Sequence, residues 1–179
     1  MSAQAPGARA GRVMLVLAWG AALLLATRFF ADWEENRRNP NANPESVQRD
    51  GYVEVLLNSG AQGHYLAGGK INGEAVTFLL DTGATQVAVP VQVAERLGLE
   101  PGAQIMINTA NGRAVAHRTR LQRLQLGAIV LQDVPALIAP GMQSDDVLLG
   151  MSALKKLEFT QRDGKLLLRQ SITQQSTLQ

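Results

Sequence analysis

The sequence predicts an all-β domain, a barrel or folded sheet with one or two short helices, behind a single apolar helix near the amino terminus. Three observations carry this. Short apolar runs rich in branched residues recur between Gly, Asn and Asp turn signals from Gly51 onward. In that region only two short stretches, Val91 to Leu97 and Met151 to Leu157, read as helix. Ahead of it, Val13 to Ala26 contains no charged residue.

The 179 residues suffice for one domain plus flanking segments, and a hydrophobic fraction of 46% is enough for a core. Net charge is only +2, aromatic residues make up 4%, and the basic residues are scattered, which argues against a nucleic-acid partner. The absence of cysteine excludes disulfides, thiolate zinc sites and a cysteine nucleophile, but does not fix the redox compartment.

Residues 1–12 form a small, polar flank with Arg9 and Arg12. The uncharged run after it is short for a membrane span, which needs about 20 residues. Taken as 13–31 it is long enough if Arg28 snorkels to the interface, with Phe29, Phe30 and Trp33 in an interfacial aromatic belt. A cleaved signal peptide and a core helix are the competing readings. The lack of a small-x-small cleavage site favours an anchor. Basic residues flank the run almost evenly. The short acid-free N-terminal flank selects an orientation with that flank in the cytoplasm. Residues 32–50 are polar, with three Asn and two Pro between Arg38 and Glu45, and read as a linker or stalk. The folded domain is expected over 51–170, and 171–179 as a disordered Gln/Ser/Thr tail.

Within the domain, Tyr52 to Leu57 and His64 to Ile71 are strand candidates. Asn72-Gly73 is a two-residue hairpin turn into Glu74 to Leu80. A strand at Gln86 to Val89 precedes the helix that Pro90 opens and Gly98 stops. Gln104 to Asn108 and Arg113 to Leu126 flank a second hairpin signal, Asn111-Gly112. Two short strands, Ile129 to Leu131 and Val134 to Ile138, come next. Pro140-Gly141 then turns the chain toward Val147-Leu148-Leu149 and the second helix, and Asp163-Gly164 turns a terminal hairpin.

The chemistry concentrates where the apolar run Val76 to Leu80 delivers one carboxylate, Asp81, to a turn made by Thr82, Gly83, Ala84 and Thr85. Asp and Gly are ordinary turn residues, so Asp-Thr-Gly alone is weak. A second element, Leu148-Leu149-Gly150 before a short helix, follows downstream, and Asn111-Gly112 falls between the two. In this combination the chain resembles the retropepsin-like, retroviral-type aspartic proteases. Thr109-Ala110-Asn111-Gly112, Leu149-Gly150-Met151-Ser152 and the N-terminal run resemble their membrane-anchored bacterial branch. The resemblance covers roughly Gly51 to Arg169.

The resemblance implies an acid-protease barrel and peptide hydrolysis by two carboxylates sharing a proton. The chain holds one Asp-Thr-Gly, and Asp145-Asp146 is not a second copy because no Ser/Thr-Gly follows. A homodimer with both Asp81 residues at its two-fold axis is therefore expected. By similarity Thr82 would bond the two loops across that axis, and Gly83 would let backbone approach the carboxylates. Ala84 would pack beside a bound peptide, and Asn111 and Gly112 would tip a flap. A surface turn is the plainer reading of those last two. The retroviral glycine-rich flap and the acidic residue after the catalytic loop are missing, so substrate preference does not carry over. The expectation is a cofactor-free, metal-free endopeptidase, single-pass in a bacterial inner membrane, with its protease domain in the periplasm and a protein or peptide substrate. The rival is a non-catalytic peptide-binding or self-association module on the same fold.

Other candidates weigh less. His64 and His117 lack metal-ligand spacing. Ser152 lacks the closing Gly of a nucleophile elbow and reads as a helix N-cap or first-turn residue. Gly68-Gly69-Lys70 lacks phosphate-loop spacing and reads as a flexible or bulged strand segment. Arg118, Arg120 and Arg123 lie on one strand, a solvated face or a contact for an acidic peptide or lipid headgroup.

Overall fold

The computed structural model describes residues 7–49, 51–60, 63–109, 112–142 and 144–172. The chain divides into two units, one ending at Arg37 and one beginning at Arg38.

Helix α1 (Gly7–Arg38) contains Gly11–Phe30, 20 residues of mean hydropathy 2.0. At 1.5 Å per residue such a stretch covers about 30 Å, the thickness of a bilayer's hydrocarbon core. Its large apolar side chains, from Val13 to Phe30, are exposed. That sets aside the core-helix reading and leaves an anchor or a signal sequence. Near its end the Phe29 and Phe30 rings meet edge-on at 5.8 Å, and the Arg37 guanidinium lies 5.3 Å from the centre of the Trp33 ring. Both suit an interfacial aromatic belt.

The second unit is built from two sheets. Strands β1 (Glu45–Arg49), β2 (Tyr52–Asn58), β10 (Glu158–Arg162) and β11 (Lys165–Ser171) form an antiparallel sheet in the order β1-β2-β11-β10. The other seven are β3 (Leu66–Ile71), β4 (Glu74–Leu80), β5 (Val87–Pro90), β6 (Gln104–Thr109), β7 (Gly112–Leu126), β8 (Ile129–Ala139) and β9 (Val147–Leu149). Their order is β3-β4-β9-β5-β8-β7-β6, and a further β3–β7 pairing at Ile71↔Leu124 closes the sheet on itself. Helices α2 (Val91–Arg96) and α3 (Met151–Leu154) are short.

One hydrophobic cluster unites both sheets. Alternation on β2 sends Val53, Val55 and Leu57 inward, and β11 adds Leu166 and Leu168. Phe78, Ile71, Leu121, Leu124, Leu126 and Ile129 fill the barrel. Strand β8 is nearly continuously buried from Val134 to Ala139 because β5 flanks it in parallel and β7 antiparallel. On the outer face of the four-stranded sheet, Arg169 donates to Glu54 Oε1 at 2.7 and 2.9 Å and stacks 4.5 Å from the Tyr52 ring centre. The hydrogen bond to Glu54 raises the Arg169 pKa above its ordinary value.

Several expectations change. The stretch read as linker supplies the end of α1 and all of β1. Every residue of β1 is exposed, so backbone pairing to β2 makes the strand, and no apolar periodicity announces it. Asn41, in the same stretch, is 3% exposed. Its amide donates to the carbonyls of Asn58 (2.8 Å) and Leu66 (2.7 Å) and accepts the Asn58 N–H at 2.7 Å. Gly68-Gly69 is closely packed rather than loose. A side chain at Gly68 would strike the Ala42 backbone, and one at Gly69 the Phe78 ring and the Gln125 carbonyl. The two strands expected between Ile129 and Ile138 are one, because Asp133 takes φ +54° and the register continues past it. Asp is among the few non-glycine residues that tolerate that region. Ser171, placed in the tail, pairs with Tyr52, while 173–179 lie outside the described residues.

Candidate active site

Strands β4 and β9 run parallel, with Phe78↔Val147, Leu79↔Leu148 and Leu80↔Leu149 as partners. Past that last pair the Asp81 N–H donates to the Leu149 carbonyl at 3.3 Å. The chain then turns tightly. The Ala84 N–H donates to the Asp81 carbonyl at 3.3 Å, and the Gly83 N–H to Asp81 Oδ1 at 2.8 Å. Among the described residues this is the one hydrogen bond to the carboxylate, so the loop orients Asp81 and leaves Oδ2 open. Asp81 is half-buried, while Thr82, Gly83 and Thr85 are exposed. Thr82 makes no side-chain hydrogen bond among the described residues.

The two sequence elements prove to be one structure. The Met151 N–H donates to the Ala84 carbonyl at 2.8 Å, tying the start of α3 to the far side of the Asp81 loop. Gly150 lies where the 84–86 backbone passes. A Cβ there would come within 2.7 Å of the Ala84 carbonyl oxygen and closer still to that of Gln86. Leu149 is buried and Leu148 partly so, which places the signature's apolar residues in the wall beneath the loop.

Ser152 lies in the first turn of α3, one of the two places expected for it, and is not its cap. Gly150 takes the N-cap position, with no side-chain cap bond. The buried Ser152 Oγ accepts the Val87 N–H at 2.9 Å and donates to the Pro135 carbonyl at 2.8 Å, joining β5 to β8 beside the loop. Sequence reasoning also missed Asn41 and the 2.6 Å ion pair between Arg38 and Asp146, both set by distant partners.

Gly112 opens β7 with φ +106° and pairs with Thr109, at the tip of the β6–β7 hairpin. It makes no hydrogen bond to the Asp81 loop among the described residues. Asn111 lies outside them. Arg118 and Arg120 help line a groove of about 690 Å³ bordered by Leu99, Pro101 and Gln86. Arg120 there is paired with Asp133 at 2.7 Å. His117 Nδ1 sits 3.4 Å from the Gly102 carbonyl. Among the described residues no group of three or more His, Asp or Glu could hold a metal ion.

The sequence model of the family described as "gag-polyprotein putative aspartyl protease" matches residues 67–156, from β3 to just beyond α3. The chain belongs to this family. A protein of Sinorhizobium sp, described as an uncharacterized protein in the cobV 5' region, is 36% identical over 124 residues, 67% of this chain and 53% of the relative. The chain thus spans about half the length of the curated relative it matches. A retropepsin-like aspartic protease from Rickettsia conorii superposes with a TM-score of 0.56 at 21% identity, covering 72% of this chain and 97% of the other. The EIAV protease complexed with the inhibitor HBY-793 gives 0.41 at 20% identity, covering 50% and 84%. The Rickettsia structure shows that the aspartyl-protease domain here has the retropepsin-like fold. The family match leaves out β1, β2, β10 and β11, so segments flanking it build the four-stranded sheet.

Proposed function

We propose that this aspartyl-protease family member is an endopeptidase whose active site forms when two copies bring their Asp81 side chains together. The observation that carries the reading is the Asp81 loop. One half-buried carboxylate stands at the end of a core strand, held through a single oxygen by the Gly83 N–H and tied through Ala84 to Met151. One chain supplies one such carboxylate, and peptide hydrolysis by carboxylates needs two. One takes a proton from water as it attacks, and the other donates a hydrogen bond to the scissile carbonyl. The chemistry so written needs no metal or organic cofactor.

The exposed Thr82 hydroxyl is free to bond across a two-fold axis. Gly83 and Ala84 keep the loop small where a peptide passes, and the β6–β7 hairpin that ends at Thr109 and Gly112 is the flap over it. The stretch Gly11–Phe30 anchors the chain in a bacterial inner membrane with the protease domain on the periplasmic side. Two copies confined to one membrane meet at raised effective concentration, which favours a weak dimer.

The test compares the wild type with Asp81→Asn, which keeps size and the Oδ1 acceptor. Purified wild type should cleave casein at a rate that falls faster than enzyme concentration on dilution, and the variant should cleave at least about a thousandfold more slowly. Cleavage by Asp81→Asn at the wild-type rate would remove the aspartic mechanism and leave a peptide-binding or self-association module. A strictly linear dilution curve down to a monomeric sample would remove the dimeric site.

A further inference from the structure

Asp146 is a buried carboxylate at the step into β9. Its Oδ2 accepts from Arg38 Nη2 at 2.6 Å, with 13% of the Asp146 side chain and 62% of the Arg38 side chain exposed. The loop before it is fixed as well. The Asp146 N–H donates to Ser144 Oγ at 3.2 Å, and Gln92 on α2 donates to Asp145 Oδ1 at 3.1 Å. Arg38 stands on a firm base, because Asn41 is bonded to the end of β2 and the start of β3, and the Gly68 N–H donates to the Asn41 carbonyl at 2.8 Å.

From Asp146 the chain runs straight into β9, and the carbonyl of its last residue, Leu149, holds the Asp81 N–H. Strand β9 has only three residues, paired in register with β4 and, at Leu148, with β5. The Arg38–Asp146 contact stands at its entrance, one residue before the first of these pairs. We infer that Arg38 and Asp146 are positioning residues for the Asp81 loop, setting where β9 stands along β4 and hence where Leu149 and Met151 hold the loop. A buried carboxylate deprived of its cation is strongly disfavoured. Without Arg38, Asp146 would move toward water and carry the start of β9 with it. The inference rests on the catalytic reading of Asp81 for its effect on turnover, but not for its effect on the loop.

The experiment uses the full chain in detergent micelles, with Arg38→Met, Asp146→Asn and the exchanged pair Arg38→Asp with Asp146→Arg. Two quantities are read: kcat and KM on casein, and hydrogen exchange of the Asp81 and Met151 amides. A misplacement of about 1 Å can cost about a hundredfold in rate. Acting one step removed, each single variant should lower kcat about tenfold, leave KM within about twofold, and speed exchange at both amides. The exchanged pair should recover part of both losses. Amide exchange unchanged in both single variants overturns the inference, whatever the activity. If exchange responds but the wild type cleaves nothing, the positioning contact stands and the catalytic reading falls. Arg38→Met, altered at an exposed side chain, keeps the test open should Asp146→Asn fail to fold.

Discussion

Gly150→Ala isolates the join between the two halves of the site. Gly150 has φ −87°, an ordinary backbone angle for alanine, so any cost comes from space. The added Cβ would lie 2.7 Å from the Ala84 carbonyl oxygen, 2.7 Å from the Gln86 carbonyl carbon, and closer still to the Gln86 oxygen. All three are backbone atoms and cannot swing aside. Overpacking costs about 1–3 kcal/mol, and contact with backbone argues for the upper end. Displacing the 84–86 segment also strains the 2.8 Å Met151–Ala84 bond, about 1 kcal/mol more. The sum of about 4 kcal/mol is a large share of a typical domain's total of about 5–15. The control is Gly141→Ala, with φ +91° and nothing within 4 Å of the new Cβ, which should cost only backbone strain of about 1–2 kcal/mol. Urea unfolding of the full chain in mild detergent, followed by circular dichroism, compares the two. Gly150→Ala proving no more costly than Gly141→Ala would refute the reasoning, since crowding at residues 84–86 would then be absent.

Ser152→Ala removes Oγ and with it the bonds to the Val87 N–H and the Pro135 carbonyl. The expected loss is about 2–4 kcal/mol, seen as a lower urea midpoint at unchanged slope. Asp133 combines φ +54° with an exposed ion pair to Arg120. Asp133→Val should cost about 1–2 kcal/mol by thermal unfolding, whereas Asp133→Gly should fall within about 1 kcal/mol of wild type, relief of strain offsetting the weak surface pair.

The Asp81 loop was legible because its rules are local. A strand of apolar residues ends at an acid, and the next three residues close a turn onto it. Gly150 was legible only as half of a pattern, since the backbone that excludes a side chain there belongs to residues 84–86. The hairpin turns at Asn72-Gly73 and Asp163-Gly164 show the positive φ values that such dipeptides favour. Asn41, Arg38 and Asp146 were not legible. Each looks like a solvated polar residue until its partner, 17 to 108 positions away, is brought beside it. Strand β1 escaped for a related reason, since hydrogen bonds to β2 rather than apolar burial create it. The single strand β8 was read as two because the polar pair Gln132-Asp133 mimics a turn, while the neighbouring strand β7 keeps its pairing on both sides of it.

The order β1-β2-β11-β10 has a bearing on how the chain is made. Strand β11, the last described strand to be synthesised, is an inner strand, lying against β2, which emerged more than a hundred residues earlier. Until it arrives, β2 carries one unclosed edge, and Val55 and Leu57 lack the cover of Leu166 and Leu168. Such an edge invites pairing with another chain. Synthesis that stops after α3 but short of β11 would yield a product with the Asp81 loop and Gly150 both present and an adhesive flank. Arrival of β11, rather than appearance of the Asp81 loop, therefore marks the moment at which this edge is closed.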